Sequence, residues 1–292
     1  MTIFKGSGVA LITPFKNGKV DFESLDKLLD WHVEQGTDSI VICGTTGEAS
    51  TLMDDEHLET IDHTVKKIAG RIPVIAGVGS NSTQHAIDFS MEAEKMGADG
   101  LLHVTPYYNK ASTKGLILHY QAIAAKTKLP IIMYSVASRT GVNITPAVCT
   151  ELSKVDNIVG IKEASGNIAQ VAEIARVTPD DFDIYSGNDE MVIPLMSVGG
   201  IGVISTVANI IPTDVHNMAV DYLNGDVKKA AKAQLDMKAL IDAVFIEVNP
   251  IPIKAALWLL GKCEYEYKLP MCQMEDKNLE VLKKAMKDYG LL

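Results

Sequence analysis

The chain has 292 residues, 47% of them hydrophobic and 22% charged, with a formal net charge of −10. That length suits one large α/β barrel or two mid-sized domains. The acidic excess excludes the basic face needed for non-specific binding to nucleic acid or an anionic membrane, while local arginines and backbone amides can still hold a small anion.

Short apolar runs alternate with amphipathic stretches from one end to the other. The first strand is predicted at 8–13, followed by a helix that Asp21 opens and Gly36 closes. A second strand at 39–44 precedes a helix whose Leu58, Ile61, Val65 and Ile68 share one face. Residues 73–78 read as a strand, and Ser82 and Gly97 bracket the next helix. Strands at 100–105 and 130–135 follow, then Thr145-Pro146, a cap with proline at the first helical position. Strands at 158–162, 182–186 and 202–205 complete the series. Between the last two, Asn188, Asp189 and Glu190 place acceptors and negative charge at a predicted helix start. The runs are rich in Val and Ile and nearly continuous in apolar character, as in parallel strands covered on both faces.

Eight strand–helix units fit either a closed barrel or an open doubly wound sheet. No Gly-x-Gly-x-x-Gly follows the first strand, which weakens the dinucleotide-binding sheet. The expected fold is therefore an α/β (β/α)8 TIM barrel over residues 1–225. Three further helical patterns, at 227–248, 251–260 and 277–289, are too short for a core of their own. They are expected to form a C-terminal helical region, 226–292, packed on the barrel.

Cys43, Cys149, Cys263 and Cys272 share no C-x-x-C spacing and have no matching histidine pair, so neither a zinc site nor a disulfide framework is expected. The seven histidines, among them His57, His63, His103 and His216, contain no close ligand pair, unlike a metal-dependent aldolase. The first residues lack the apolar stretch of a secretory signal, and no apolar run approaches the ~18 residues of a membrane span. Reduced thiols and no leader point to the cytoplasm.

In a barrel of this kind chemistry sits at the C-terminal strand ends. Those ends carry Gly44-Thr45-Thr46-Gly47-Glu48, Thr105-Pro106-Tyr107-Tyr108-Asn109, Tyr134, Ser138-Arg139-Thr140-Gly141, Lys162-Glu163, Ser186-Gly187-Asn188-Asp189 and Gly202-Val203-Ile204-Ser205. Lys162 ends an apolar strand, and partial desolvation favours the neutral amine that a nucleophile requires; a lysine snorkelling to solvent is the plain alternative. Tyr134 is a general acid/base candidate, or an aromatic filling the barrel mouth. Because a free phenol is a poor base near neutrality, its protons would travel through a relay with Thr45 and a second tyrosine. Arg139 offers a donor fork for a carboxylate, or is a solvated surface arginine. The Gly44–Gly47 turn can present backbone N–H groups to an anion.

Together with Asn-Pro-Ile-Pro-Ile-Lys at 249–254, these motifs resemble the dihydrodipicolinate synthase family of pyruvate-dependent class I aldolases along essentially the whole chain. The paired threonines and Arg139 favour that branch over the sialic-acid lyases. The resemblance implies that Lys162 condenses with the ketone of pyruvate, and that Tyr134, Thr45 and Tyr108 relay protons. Tyr108 would come from a neighbouring subunit across a tight dimer interface. Thr45 and Thr46 would hold the pyruvate carboxylate, Arg139 that of aspartate-4-semialdehyde, and Gly187 and Ile204 would line the pocket. No cofactor beyond the covalent imine and no metal is implied; the partners are the two substrates and further copies of the chain, a tetramer of two tight dimers. Other readings are a pyruvate aldolase acting on a sugar acid or hydroxy-oxo acid, and a non-catalytic barrel that binds a metabolite.

Two departures from the family pattern stand out. Tyr134-Ser135-Val136-Ala137 replaces a common Tyr-Asn-Val-Pro, so the loop aiming Arg139 lacks proline's fixed φ. In regulated relatives a lysine pocket matches Ala49, Asp54, His57, Asn81, His85 and Tyr107. Here Asp54 replaces a usual histidine and His85 a usual glutamate, so weak or absent inhibition by lysine is expected.

Overall fold

A computed structural model describes residues 1–292. All eight expected strands form: β1 Gly6–Ala10, β2 Ser39–Ile42, β3 Val74–Gly77, β4 Gly100–Val104, β5 Ile131–Ser135, β6 Ile158–Glu163, β7 Asp183–Ser186 and β8 Gly202–Ser205. Each pairs in parallel with the next, and β1 also pairs with β8, closing the barrel. Every strand residue except Val104 is buried, because side chains on one face fill the barrel and those on the other meet the helices. A short antiparallel hairpin, Phe15–Lys16 with Lys19–Val20, follows β1.

The surrounding helices are α1 Phe22–Glu34, α2 Asp54–Ile68, α3 Thr83–Met96, α4 Thr113–Ala124, the single turn α5 Ala137–Thr140, α6 Pro146–Leu152, α7 Ile168–Val177, α8 Val192–Met196 and α9 Pro212–Leu223. The cap residues act as their chemistry dictates. Asp21, Ser82 and Thr145 accept from the backbone N–H groups of Ser24, His85 and Val148. Gly97 closes α3 in the left-handed region. On α2, Ile61 and Ile68 are fully buried, with Leu58 and Val65 packed partly buried beside them.

Two boundaries differ from expectation for physical reasons. β1 starts at Gly6 and stops at Ala10, not Thr13, because the Ile12 N–H leaves the ladder for the Asn209 side chain. The 188–190 segment is a 3-10 turn, Asp189–Met191, before the short α8, and Asn188 makes no side-chain cap. Asp189 turns inward instead. It accepts from the Thr206 and Val207 N–H groups, at 3.0 Å each, and from the Ser205 hydroxyl.

Beyond α9 the chain forms α10 Val227–Asp236, α11 Lys238–Val244, α12 Ile251–Leu259 and α13 Asp276–Tyr289. The stretch at 227–248 is thus two helices divided at buried Met237 and ending at Val244, not a single one. Met237, Leu240, Val244, Ile253, Leu282 and Met286 belong to the same buried cluster as the barrel's outer layer, while a smaller cluster including Phe4, Tyr134, Tyr185 and Ile204 fills the barrel itself. No helix is long and apolar enough to cross a membrane.

Candidate active site

Neighbouring strands β5 and β6 set Tyr134 directly opposite Lys162 and Ser135 opposite Glu163. Strand alternation then sends the first pair inward and the second outward. Lys162 is 6% exposed and Tyr134 7%, and the lysine Nζ lies 4.3 Å from the centroid of the tyrosine ring. The end of β7 makes room for the lysine stem. A Cβ at Gly187 would lie 3.1 Å from Lys162 Cε and 2.7 Å from the Ala164 Cβ, so only glycine leaves the amine where it is. Ile204, from β8, is fully buried in the interior cluster that also holds Tyr134.

A cavity of about 400 Å³ opens at this end of the barrel, lined among others by Thr45, Tyr134, Val136, Arg139 and Thr140. The turn after β2 closes on itself: Gly47 N–H donates to Gly44 O and Glu48 N–H to Thr45 O, at 3.1 Å each. The N–H groups of Thr45 and Thr46 take no partner within the chain. Two adjacent free amides in this turn offer a cradle for a small carboxylate.

The turn is held from behind. Glu48 occupies the left-handed region at φ 54°, a conformation that costs a non-glycine residue roughly 1–2 kcal/mol. Its carboxylate accepts from Lys254 Nζ at 2.6 Å and from the Lys268 N–H at 3.1 Å, and neither member of the ion pair is exposed by more than 1%. Burial pulls the Lys254 ammonium below the usual lysine range, and the Glu48 carboxylate pulls it back. Its Nζ also lies 3.9 Å from the Phe15 ring centroid.

Arg139, within the α5 turn at the rim, is exposed, and its Nη2 donates to the backbone carbonyl of Asn249 at 3.0 Å. The loop lacking proline is nevertheless ordered by threonine. Thr140 Oγ1 accepts from the Thr105 hydroxyl at 3.1 Å and from the Val142 N–H at 3.1 Å. Ser135 accepts from the Ile144 N–H and donates to Asn143, which with Gln170 leads to Glu163. Burial raises the Glu163 carboxyl above its ordinary value, against the hydrogen bonds from Ser165 and Gln170.

The same cavity is also lined by Asp54, His57, Ser80, His85 and Tyr107. His57 Nε2 donates to the Gly77 carbonyl at 2.8 Å, and burial lowers this imidazole to about 4, so it is neutral near pH 7. Asp54 places its carboxylate 3.1 Å from His85 Nε2. The cavity lining therefore keeps an acid, on α2 and already engaged by the imidazole.

Of the residues singled out by sequence, Thr45, Tyr134 and Arg139 line the cavity; Lys162 sits on the Tyr134 ring with Gly187 against its stem, Ile204 lies in the interior cluster with Tyr134, and Thr46 is joined to Arg139 through Asn249. Tyr108 stands apart: it is 92% exposed, left-handed at φ 69°, and absent from the cavity wall that its neighbour Tyr107 joins. Sequence reasoning assigned no role to Asn249, Glu48 or Lys254. The available signal was a lysine inside the otherwise apolar run 250–257, which marks a charge with a buried partner.

The family model described as the dihydrodipicolinate synthetase family matches residues 3–289. The chain belongs to this family. It is 58% identical to the 4-hydroxy-tetrahydrodipicolinate synthase of Caldicellulosiruptor saccharolyticus over 292 residues, covering all of this chain and 99% of that one. Among solved structures, dihydrodipicolinate synthase from Aquifex aeolicus superposes with a TM-score of 0.98 at 43% identity, covering 99% of both chains. A monomeric dihydrodipicolinate synthase variant superposes with a TM-score of 0.97 at 41% identity, covering 99% of this chain and 98% of that one. Dihydrodipicolinate synthases thus share the whole barrel and its C-terminal helices with this protein, so the strand-end geometry described above sits in a common frame.

Proposed function

We propose that the protein condenses pyruvate with aspartate-4-semialdehyde to give 4-hydroxy-tetrahydrodipicolinate, the step that leads toward diaminopimelate and lysine. The observation that carries the mechanism is a buried amine on the ring of a tyrosine that lines, with Thr45, a single cavity. The names of the relatives support the substrates. Lys162 Nζ adds to the ketone carbon of pyruvate and water leaves, giving an imine. Its iminium form is an electron sink, so a methyl proton departs near neutral pH with no cofactor. Tyr134 and Thr45 move that proton, with Tyr108 of a second copy completing the relay. The enamine carbon attacks the aldehyde; the substrate's amine then attacks the imine carbon, closes the ring and frees Lys162. Thr45 and Thr46 hold the first carboxylate, Arg139 the second, while Gly187 and Ile204 shape the pocket.

Tyr108, exposed and held in a costly backbone conformation, supports a tight dimer in which it enters the partner's site, two such dimers forming a tetramer. The cytoplasm is the compartment this reading implies. Because Asp54 is already engaged by His85, free lysine inhibits weakly or not at all.

The test is trapping. Borohydride with pyruvate is expected to add a pyruvyl mass to the peptide containing Lys162, and Lys162→Ala to abolish both trapping and turnover. A modified peptide elsewhere overturns the assignment. Consumption of aspartate semialdehyde, rather than cleavage of N-acetylneuraminate, separates this reading from a sugar-acid aldolase; the same assay with sub-millimolar lysine tests the inhibition.

A further inference from the structure

Asn249 lies between α11 and α12, 6% exposed, and reaches two parts of the site that are distant in sequence. Its Nδ2 donates to Thr46 Oγ1 at 3.0 Å, and its backbone carbonyl accepts from Arg139 Nη2 at 3.0 Å. Its Oδ1 is buried without a partner, which is costly for a polar atom in the interior. Turning the amide over would move that oxygen onto the Thr46 hydroxyl and reverse the direction of the bond. As it stands, the hydroxyl oxygen accepts from the amide, so its own hydrogen is left for another acceptor. The free Thr45 and Thr46 N–H groups mark where that acceptor, a carboxylate, would lie. The segment carrying Asn249 is itself fixed, because Lys254 on α12 grips Glu48 at the end of the Thr45-Thr46 turn.

We infer that Asn249 is a positioning residue that ties the two carboxylate grips together: its amide keeps the Thr46 hydroxyl a donor toward the keto acid, and its carbonyl holds Arg139 for the second substrate. This rests on the proposed roles of Thr46 and Arg139. An aspartate of the same shape accepts only, so it draws the Thr46 hydrogen to itself and adds a negative charge nearby.

The experiment compares full-length Asn249→Asp, Asn249→Ala, Thr46→Val and the pair Thr46→Val/Asn249→Ala by steady-state kinetics, thermal melting and borohydride trapping. Asn249→Asp is expected to raise the KM for pyruvate about tenfold or more, with Lys162 still trapped at saturating pyruvate. Asn249→Ala raises it less, and adds nothing in the Thr46→Val background, because the alanine acts through a hydroxyl already gone. An unchanged KM for pyruvate in Asn249→Asp, or fully additive effects in the pair, overturns the inference. If Asn249→Asp does not fold, the Asn249→Ala and Thr46→Val comparison decides alone. Absence of any Lys162 adduct in the unaltered protein would sink the imine reading itself, an outcome separate from these.

Discussion

At the residue scale, the site depends on what is missing at position 187 as much as on what is present at 162. Gly187→Ala puts a methyl against the Lys162 stem and the Ala164 side chain. Misplacing a reacting group by about 1 Å can cost on the order of a hundredfold in rate. The variant is therefore expected to fold yet trap pyruvate on Lys162 ten- to a hundredfold more slowly, read by borohydride trapping beside a melting curve. An unchanged trapping rate would show that room at 187 does not place the amine. The juxtaposition of Lys162 and Tyr134 was legible in the sequence because each lies at the end of a strand, and consecutive strands of a parallel barrel are neighbours. Asn249 was not, since it ends no strand and meets Thr46 across 203 residues.

At the scale of elements, α12 works as a brace. Its Lys254 is wholly buried against Glu48, and breaking a buried pair by removing one partner costs about 3–5 kcal/mol, while neutralising both costs much less. Lys254→Met is expected to lose stability in that range by urea unfolding, and Glu48→Gln/Lys254→Met to recover a good part of it. Equal losses in the two would mean that the charge left on Glu48 is not the cause. Strand and helix identities followed from periodicity, and caps such as Asp21, Ser82 and Thr145 from side-chain chemistry. Boundaries failed where a distant group intervened. Asn209 draws off the end of β1, and Asp189 serves the turn after β8 in place of its own helix start.

At the scale of the whole molecule, stability is tied to histidines that fold in uncharged. Burial lowers His32 and His103 to about 3, and His57 and His119 to about 4. Unfolded histidines titrate near ~6.5, so from there downward the unfolded chain takes up protons that the native fold refuses. Stability is full above that point and declines as pH falls through the window toward 4. Melting temperature is expected to drop progressively from pH 6.5 to 4, and the slope to lessen in His103→Gln, whose ring faces Ser90 with its other nitrogen unpartnered. A melting temperature flat down to pH 4 would remove the histidines as its cause. We propose that residues 226–292 act as a brace of the 1–225 barrel and not as a separate folding unit, because their apolar residues share the barrel's outer cluster.

What the sequence determined by itself was local and periodic: parallel strands from continuous Val and Ile runs, helices from capped amphipathic stretches, a rim of polar residues at the strand ends. Those signals repeat every few residues and need no knowledge of what lies across the fold. The tertiary structure alone decided which rim groups are held, and by what. It set Lys162 on the Tyr134 ring, left the Thr45 and Thr46 amides free, and joined Thr46 and Arg139 through Asn249. Hydrogen-bond direction and the room beside a side chain are properties of three-dimensional packing, and residues a hundred or more positions apart carry no local trace of them.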